Sequence, residues 1–113
     1  MDYAQMMAEL KSEYITSMPE KILEIKRHFE SNEVDLLRDD FHKLKGTGKT
    51  YGIPEISELS TVVEELCIQK KWPLKQFISV AINLLEKIYT AQKSNQSYPV
   101  TNLEEFITIK KLV

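Results

Sequence analysis

The sequence is poor in the residues that form disulfides, tight turns and membrane spans. Its 113 residues include one cysteine, three glycines and four prolines. A single cysteine excludes an internal disulfide and a cysteine-rich metal site, and few turn-forming residues disfavour a fold of many short strands. No apolar stretch approaches the roughly 20 residues needed to cross a bilayer, and the acidic N-terminal segment is unlike a secretory signal. We therefore expect a cytoplasmic protein that does not associate with membranes.

The sequence also lacks a strong excess of either charge. Its formal net charge is −2, unlike the strongly basic footprint of a general nucleic-acid-binding protein. With 42% apolar and 28% charged residues, the chain fits one compact domain. It contains no P-loop, nucleophile elbow or zinc motif. A free-standing enzyme is therefore not expected.

Apolar residues recur at helical intervals along most of the chain. The first predicted helix spans about Tyr3 to Tyr14. Ser17 is suited to be the N-cap of a second helix, with Pro19 in its first turn. A third helix is predicted over about Val34 to Tyr51. The Gly52-Ile53-Pro54 segment then predicts a break, and a fourth helix follows it.

The second half of the chain continues the helical pattern. Trp72-Pro73 marks a boundary before a fifth helix, whose pattern ends in the polar residues 93–97. Thr101 to Glu104 resembles a capping box and predicts a short final helix, although the alternation of apolar residues after it leaves an extended arm open. The predicted fold is all-α, an up-and-down four-helix bundle core with an extra N-terminal helix and a C-terminal extension. Residues 1–97 form the bundle domain and residues 98–113 the extension.

His42 lies on the third predicted helix, away from its apolar face. On an ideal helix, four polar side chains lie about 80° to 140° from the inward direction defined by Leu37: Lys45, Arg38, Lys49 and His42. This angle argues against a core histidine. The remaining interpretations are an incidental surface residue or a functional one flanked by three permanent cations.

Gly46 is the observation that favours the functional interpretation. A glycine inside a helix costs about 1 kcal/mol relative to alanine, and Gly46 lies off the apolar face, where packing does not require it. Its bare backbone can admit another macromolecule beside the imidazole; a helix end or kink at this point is the alternative. Imidazole titrates near neutral pH, and Lys45 can offset the charge of a phosphoryl group one turn away. The arrangement suits reversible phosphorylation.

Glu64 is the predicted partner of His42. If the third and fourth helices form an antiparallel hairpin that turns at Ile53, His42 lies eleven residues before the turn and Glu64 eleven after it. Both then lie about 140° from the apolar direction of their own helix. Glu64 is therefore placed to accept a hydrogen bond from one ring N–H and leave the other nitrogen free. A register error of one turn would instead select one of three neighbours: Ser60, Thr61 or Ile68.

His28 lacks a comparable setting. It lies within Lys26-Arg27-His28-Phe29 without a small residue beside it, and we interpret it as part of a solvated face. Two histidines without a carboxylate-rich cluster also make a poor transition-metal site. We expect no metal or other cofactor on this chain.

The segment from Phe41 to Thr47, with Gly52 ten residues after the histidine, resembles the signature of histidine-containing phosphotransfer (HPt) domains. The resemblance covers roughly residues 15 to 90 and leaves the C-terminal tail outside. It implies that His42 is phosphorylated midway along an exposed helix, and that Lys45 steadies the phosphoryl group. It also implies that Gly46 permits docking of a receiver domain. Many free-standing members have a glutamine where this chain has Glu64.

The resemblance implies a phosphocarrier rather than an enzyme. Such a protein accepts a phosphoryl group from a receiver-domain aspartate, or from a histidine kinase or hybrid kinase, and passes it to a response-regulator receiver. The aspartate and the Mg²⁺ would lie on the partner, and the chain is expected to be monomeric. Residues expected to contact the partner are Arg38, Lys43, Gly46 and Lys49. The alternative is a non-catalytic helical module that binds a receiver or kinase domain without phosphotransfer, with the apolar C-terminal tail available for binding.

Overall fold

The protein is a bundle of α-helices in a computed structural model that describes residues 2–69 and 74–113. Within these residues it has five helices and no strand, which confirms the predicted all-α bundle. The helices are α1 (Tyr3–Glu30), α2 (Val34–Gly48), α3 (Pro54–Gln69), α4 (Leu74–Lys93) and α5 (Glu104–Lys110). The predicted boundary at Trp72-Pro73 lies outside the described residues.

The first two predicted helices are one continuous helix, α1, so the predicted start at Ser17 is wrong. The N-cap is Asp2, whose carboxylate accepts a hydrogen bond from the Gln5 amide at 2.7 Å. The Ser17 hydroxyl instead donates to the Tyr14 carbonyl inside the helix. The extra N-terminal helix is therefore an extension of the first bundle helix.

Packing explains why α1 continues through Pro19. A proline inside a helix removes one backbone hydrogen bond and costs about 3 kcal/mol. Pro19 is on the exposed side of α1, where water can reach the carbonyl that loses its donor. The opposite side buries residues before and after the proline at helical spacing: Tyr14, Met18, Ile22 and Ile25. Burial of this continuous face outweighs the local preference for a break.

Helices α2 and α3 form the predicted antiparallel hairpin, and their backbones approach closely at Gly48. A methyl group at Gly48 would lie 2.8 Å from the Ser57 amide nitrogen and 2.9 Å from the Ile56 Cβ. Gly52 has a φ of 84° in the turn, a conformation that side chains with a Cβ rarely adopt. Close packing thus requires glycine at position 48, and the backbone conformation favours it at position 52.

Ser57 of α3 interrupts the helical hydrogen bonds at the end of α2. Its hydroxyl accepts a hydrogen bond from the Lys49 amide at 2.7 Å and donates one to the Lys45 carbonyl at 2.8 Å. The hydroxyl is inserted where a direct helical bond between these two backbone groups would otherwise form. The regular helix ends at Gly48, three residues before the predicted end, although the Tyr51 amide still donates to the Thr47 carbonyl. The Gly52 and Ile53 amides then bond the Lys49 and Gly48 carbonyls and close the turn.

The core lies where α1 and α3 each contact both α2 and α4. Phe41 of α2, Leu59 of α3 and Ile88 of α4 are completely buried in it. Helix α5 packs against α3 and α4 through Phe106 and Ile109. In the part of the chain that the structure describes, no helix has the length and apolar character of a membrane span.

The C-terminal tail contains a short helix. Of the two predicted alternatives, a short helix and an extended arm, the structure has the first. The predicted capping box is wrong, however, because α5 begins at Glu104 and its N-cap is Leu103, which has no side-chain cap. The Leu103 amide donates to the Val100 carbonyl in a turn, and this turn places Val100 in the core. The division of the chain at residue 97 stays a prediction.

Candidate functional site

His42 projects from the middle of α2 into solvent, with 69% of its side chain exposed. The opposite side of α2 buries the residues that attach the helix to the bundle: Leu37, Phe41, Leu44 and Gly48. The helical periodicity therefore predicted the direction of the imidazole correctly. The imidazole is therefore accessible from solvent. Its position along the bundle is fixed, because the opposite face of α2 is packed in the core.

Glu64 of α3 lies beside the imidazole. Its Oε1 is 3.0 Å from His42 Nδ1, and only 12% of its side chain is exposed. A carboxylate accepts hydrogen bonds, so this contact favours the tautomer with a proton on Nδ1 and a free lone pair on Nε2. The contact matches the register derived from equal distances to the turn at Ile53.

The three alternatives that a shifted register would have selected have other surroundings. Ser60 is completely buried, and the Thr61 hydroxyl donates to the Ser57 carbonyl of its own helix. Ile68 is half exposed and has no polar side-chain atom. None of them is the hydrogen-bond partner of His42 in the structure.

Lys45 approaches the second oxygen of the same carboxylate. Its Nζ is 3.4 Å from Glu64 Oε2, a buried oxygen that receives no hydrogen bond within the described residues. Burial raises the pKa of Glu64, but hydrogen bonding from His42 and the charge of Lys45 outweigh this effect and hold that pKa below its ordinary value. Glu64 is therefore ionised at neutral pH, and both of its oxygens face a donor or a cation.

Gly46 leaves open space beside this group. A methyl group built on it would meet no atom within 4 Å, so the fold described here does not require a glycine at this position. Helix α2 continues through Gly46 to Gly48, which argues against the alternative of a helix end there. The bare backbone one turn after His42 is accessible to another molecule.

The remaining predicted contact residues lie on the exposed surface of α2 without joining this group. Arg38 is 3.7 Å from its neighbour Asp39, and Lys43 and Lys49 are exposed. The structure thus brings together His42, Lys45 and Glu64. Lys43 instead lies toward α1, where its charge acts on Asp40.

The interpretation of His28 as part of a solvated face is wrong. Its side chain is only 13% exposed, with Nδ1 2.6 Å from Asp40 of α2 and Nε2 2.9 Å from Glu24 of α1. The hydrogen bond with Asp40 raises the pKa of His28, while burial raises the pKa of Asp40 despite the same contact. Because both ring nitrogens are occupied, His28 joins two helices and is a poor nucleophile.

Sequence reasoning missed two contacts that join α2 to its neighbouring helices, those of Ser57 with α2 and of Asp40 with His28. Both depend on how consecutive helices pack against each other, so the spacing within one helix does not signal them. Among the described residues, no group of three or more histidine, cysteine, aspartate or glutamate side chains could hold a metal ion.

Comparison with known proteins identifies one match. The family model described as Hpt domain matches residues 9–91, which include α2, α3 and nearly all of α1 and α4. No curated protein and no solved structure gives a significant match.

Proposed function

The chain belongs to the Hpt domain family, and from this premise we propose that it is a phosphorelay intermediate that carries a phosphoryl group on His42. Membership of the family indicates a role in histidine phosphotransfer in two-component signalling. The proposal goes further and assigns the roles of individual residues. It also assigns the partners, a receiver domain or a histidine kinase as donor and a response-regulator receiver as acceptor.

The observation that carries the proposal is the orientation of the imidazole. Nδ1 lies at 3.0 Å from Glu64, and the ring is mostly exposed. Glu64 therefore holds the Nδ1–H tautomer, and Nε2 is the nucleophile available to a partner. Phosphoryl transfer requires mainly alignment and charge stabilisation, which an oriented ring on a rigid helix supplies.

In the proposed step, the lone pair of His42 Nε2 attacks the phosphorus of an acyl phosphate on the receiver. The new P–N bond forms as the P–O bond breaks, and the aspartate carboxylate leaves with the bonding electrons. The proton on Nδ1 stays in place, so the phosphorylated ring acquires a positive charge. The carboxylate of Glu64, at hydrogen-bond distance, stabilises that charge.

Lys45 and Gly46 have separate roles in this proposal. Lys45, one turn after His42, offsets the negative charge of the transferred group. Gly46 lets the backbone of the partner approach α2, and the surrounding cations Arg38, Lys43 and Lys49 contact the partner. The receiver contributes the aspartate and the Mg²⁺, and this chain acts as a carrier.

The test is incubation with a panel of phosphorylated receiver domains. We expect acid-labile, alkali-stable label on the wild-type chain and none on the His42→Gln variant. His28→Gln is the matched control, because His28 is the other histidine and both of its nitrogens are occupied; this variant should still be labelled.

Two results would contradict the proposal. Label that survives His42→Gln would place the phosphoryl group elsewhere. Receiver binding that persists in His42→Ala, with no transfer to the wild-type chain, would support the non-catalytic interaction module instead.

A further inference from the structure

Glu64 is shared between two groups that the proposed reaction uses. One carboxylate oxygen, Oε1, is 3.0 Å from His42 Nδ1, and the other, Oε2, is 3.4 Å from Lys45 Nζ. We infer that phosphorylation of His42 makes Lys45 exchange partners, from the Glu64 carboxylate to the phosphoryl group. The inference rests on the proposed function and concerns the regulation of that same site.

Before phosphorylation, Lys45 is the counter-charge that Glu64 needs. The carboxylate is largely shielded from water, and its Oε2 receives no hydrogen bond from the described residues. The neutral imidazole donates a hydrogen bond to Oε1 but carries no charge. Arg38, another cation of α2, is paired with Asp39. A carboxylate in this position without a counter-charge would cost free energy. Lys45 therefore stays close to Glu64 before phosphorylation.

Phosphoryl transfer changes this balance of charges. The phosphorylated ring keeps its Nδ1 proton and becomes a cation, so it replaces Lys45 as the counter-charge of Glu64. The phosphoryl group brings up to two negative charges and three acceptor oxygens, and it needs a cation of its own. If Lys45 moves from Oε2 to the phosphoryl oxygens, the charged ring is paired with Glu64 and the phosphoryl group is paired with Lys45.

The surroundings of Lys45 allow this movement. Its side chain is 46% exposed, so solvent surrounds much of it. A lysine has a flexible four-carbon stem that can carry its ammonium group between neighbouring acceptors. The ion pair with Glu64 is long and its lysine is partly exposed, so Lys45 can leave the carboxylate once the phosphorylated ring supplies the replacement charge.

The exchange gives Glu64 a second role besides orienting the ring. Lys45 stabilises the phosphorylated state through its interaction with the phosphoryl group. The free energy lost when its contact with Glu64 breaks has to be subtracted from that stabilisation. A glutamine at position 64 can still accept a hydrogen bond from Nδ1 through its amide oxygen but carries no charge. In the Glu64→Gln variant, Lys45 has no ion pair to lose, so its interaction with the phosphoryl group stabilises the phosphorylated state in full.

A double-mutant cycle on the phosphoryl equilibrium between the chain and a receiver tests the inference. The fraction of phosphorylated His42 is measured at equilibrium for the wild type, Lys45→Gln, Glu64→Gln and the double variant. We expect Lys45→Gln to lower the equilibrium constant about three- to fivefold more in the Glu64→Gln background than in the wild type, the size of one partly exposed ion pair. Circular dichroism establishes that each variant is folded.

Lys49→Gln provides the matched control for the cycle. Lys49 is an exposed cation that directly follows the same helix, and its effect should be the same with Glu64 or Gln at position 64. Equal effects of Lys45→Gln in the two backgrounds would overturn the exchange while leaving His42 as the phosphorylated residue. Failure to phosphorylate wild-type His42 would instead contradict the proposed function, and the inference with it.

Discussion

We expect that replacing each of the two glycines of α2 by alanine changes the stability of the protein in opposite directions. Gly46 and Gly48 are two residues apart in one helix. A methyl group at Gly46 meets no atom within 4 Å, whereas one at Gly48 would lie 2.8 Å from the backbone nitrogen of Ser57. The first position tests helix propensity alone, and the second tests the packing of α2 on α3.

We expect Gly46→Ala to stabilise the protein by about 0.5–1 kcal/mol, because alanine is the better helix former. Gly48→Ala gains the same propensity but overpacks the hairpin, which typically costs about 1–3 kcal/mol. The upper end applies because the obstructing atoms are the Ser57 backbone and the Ile56 Cβ, which cannot move unless the helices separate. The net effect at Gly48 is a loss of about 2 kcal/mol.

Urea unfolding followed by circular dichroism measures the difference. With a dependence on urea of about 1–3 kcal/mol per molar, a difference of about 3 kcal/mol separates the two unfolding midpoints by about 1–2 M or more. This readout does not depend on phosphotransfer. The reasoning is refuted if Gly48→Ala is as stable as the wild type, or if Gly46→Ala is less stable than the wild type.

Two further predictions concern titratable groups with little exposure to solvent. The hydrogen bond with Asp40 raises the pKa of His28, so the stabilisation by His28 is complete below the ordinary histidine value near 6.5 and is lost as pH rises through the raised value. The difference in unfolding free energy between wild type and His28→Gln should therefore shrink as pH rises above about 6.5, and a constant difference would contradict this. Burial raises the pKa of Cys67 to about 11. Iodoacetamide at about pH 8 should therefore modify this thiol slowly in the folded protein and rapidly in urea, as measured by intact mass. Equal rates in the two conditions would show that the thiol is accessible in the folded protein.

The site was largely predictable because its geometry follows from two regular elements. The direction of His42 depends on helical periodicity, and its height relative to Glu64 depends on equal distances from the turn at Ile53. Both quantities are local once a hairpin is assumed. The contact of Lys45 with the second oxygen of Glu64 was not predicted, because it depends on the side-chain conformation in three dimensions.

The errors share one cause, which is that tertiary packing overrode a local signal. Ser17 and Pro19 resemble a helix start, yet burial on the other side of α1 continues the helix through them. His28 follows two basic residues and resembles a solvated residue, yet α2 brings Asp40 within 2.6 Å of it. A local pattern contains no information about the residue that a neighbouring helix supplies.

By itself, the sequence determined the helical class and the exposed face of α2, because apolar periodicity is a property of each helix alone. The choice of His42 as the phosphorylated residue rests on Lys45, Gly46 and the family resemblance, and it stays a prediction. Only the tertiary structure decided that α1 is continuous, that Ser57 interrupts the last turn of α2, and that Glu64 contacts His42 with one oxygen and Lys45 with the other. These features depend on distances between helices. They arise because buried surfaces and polar atoms that lose contact with water must find partners wherever the fold brings them.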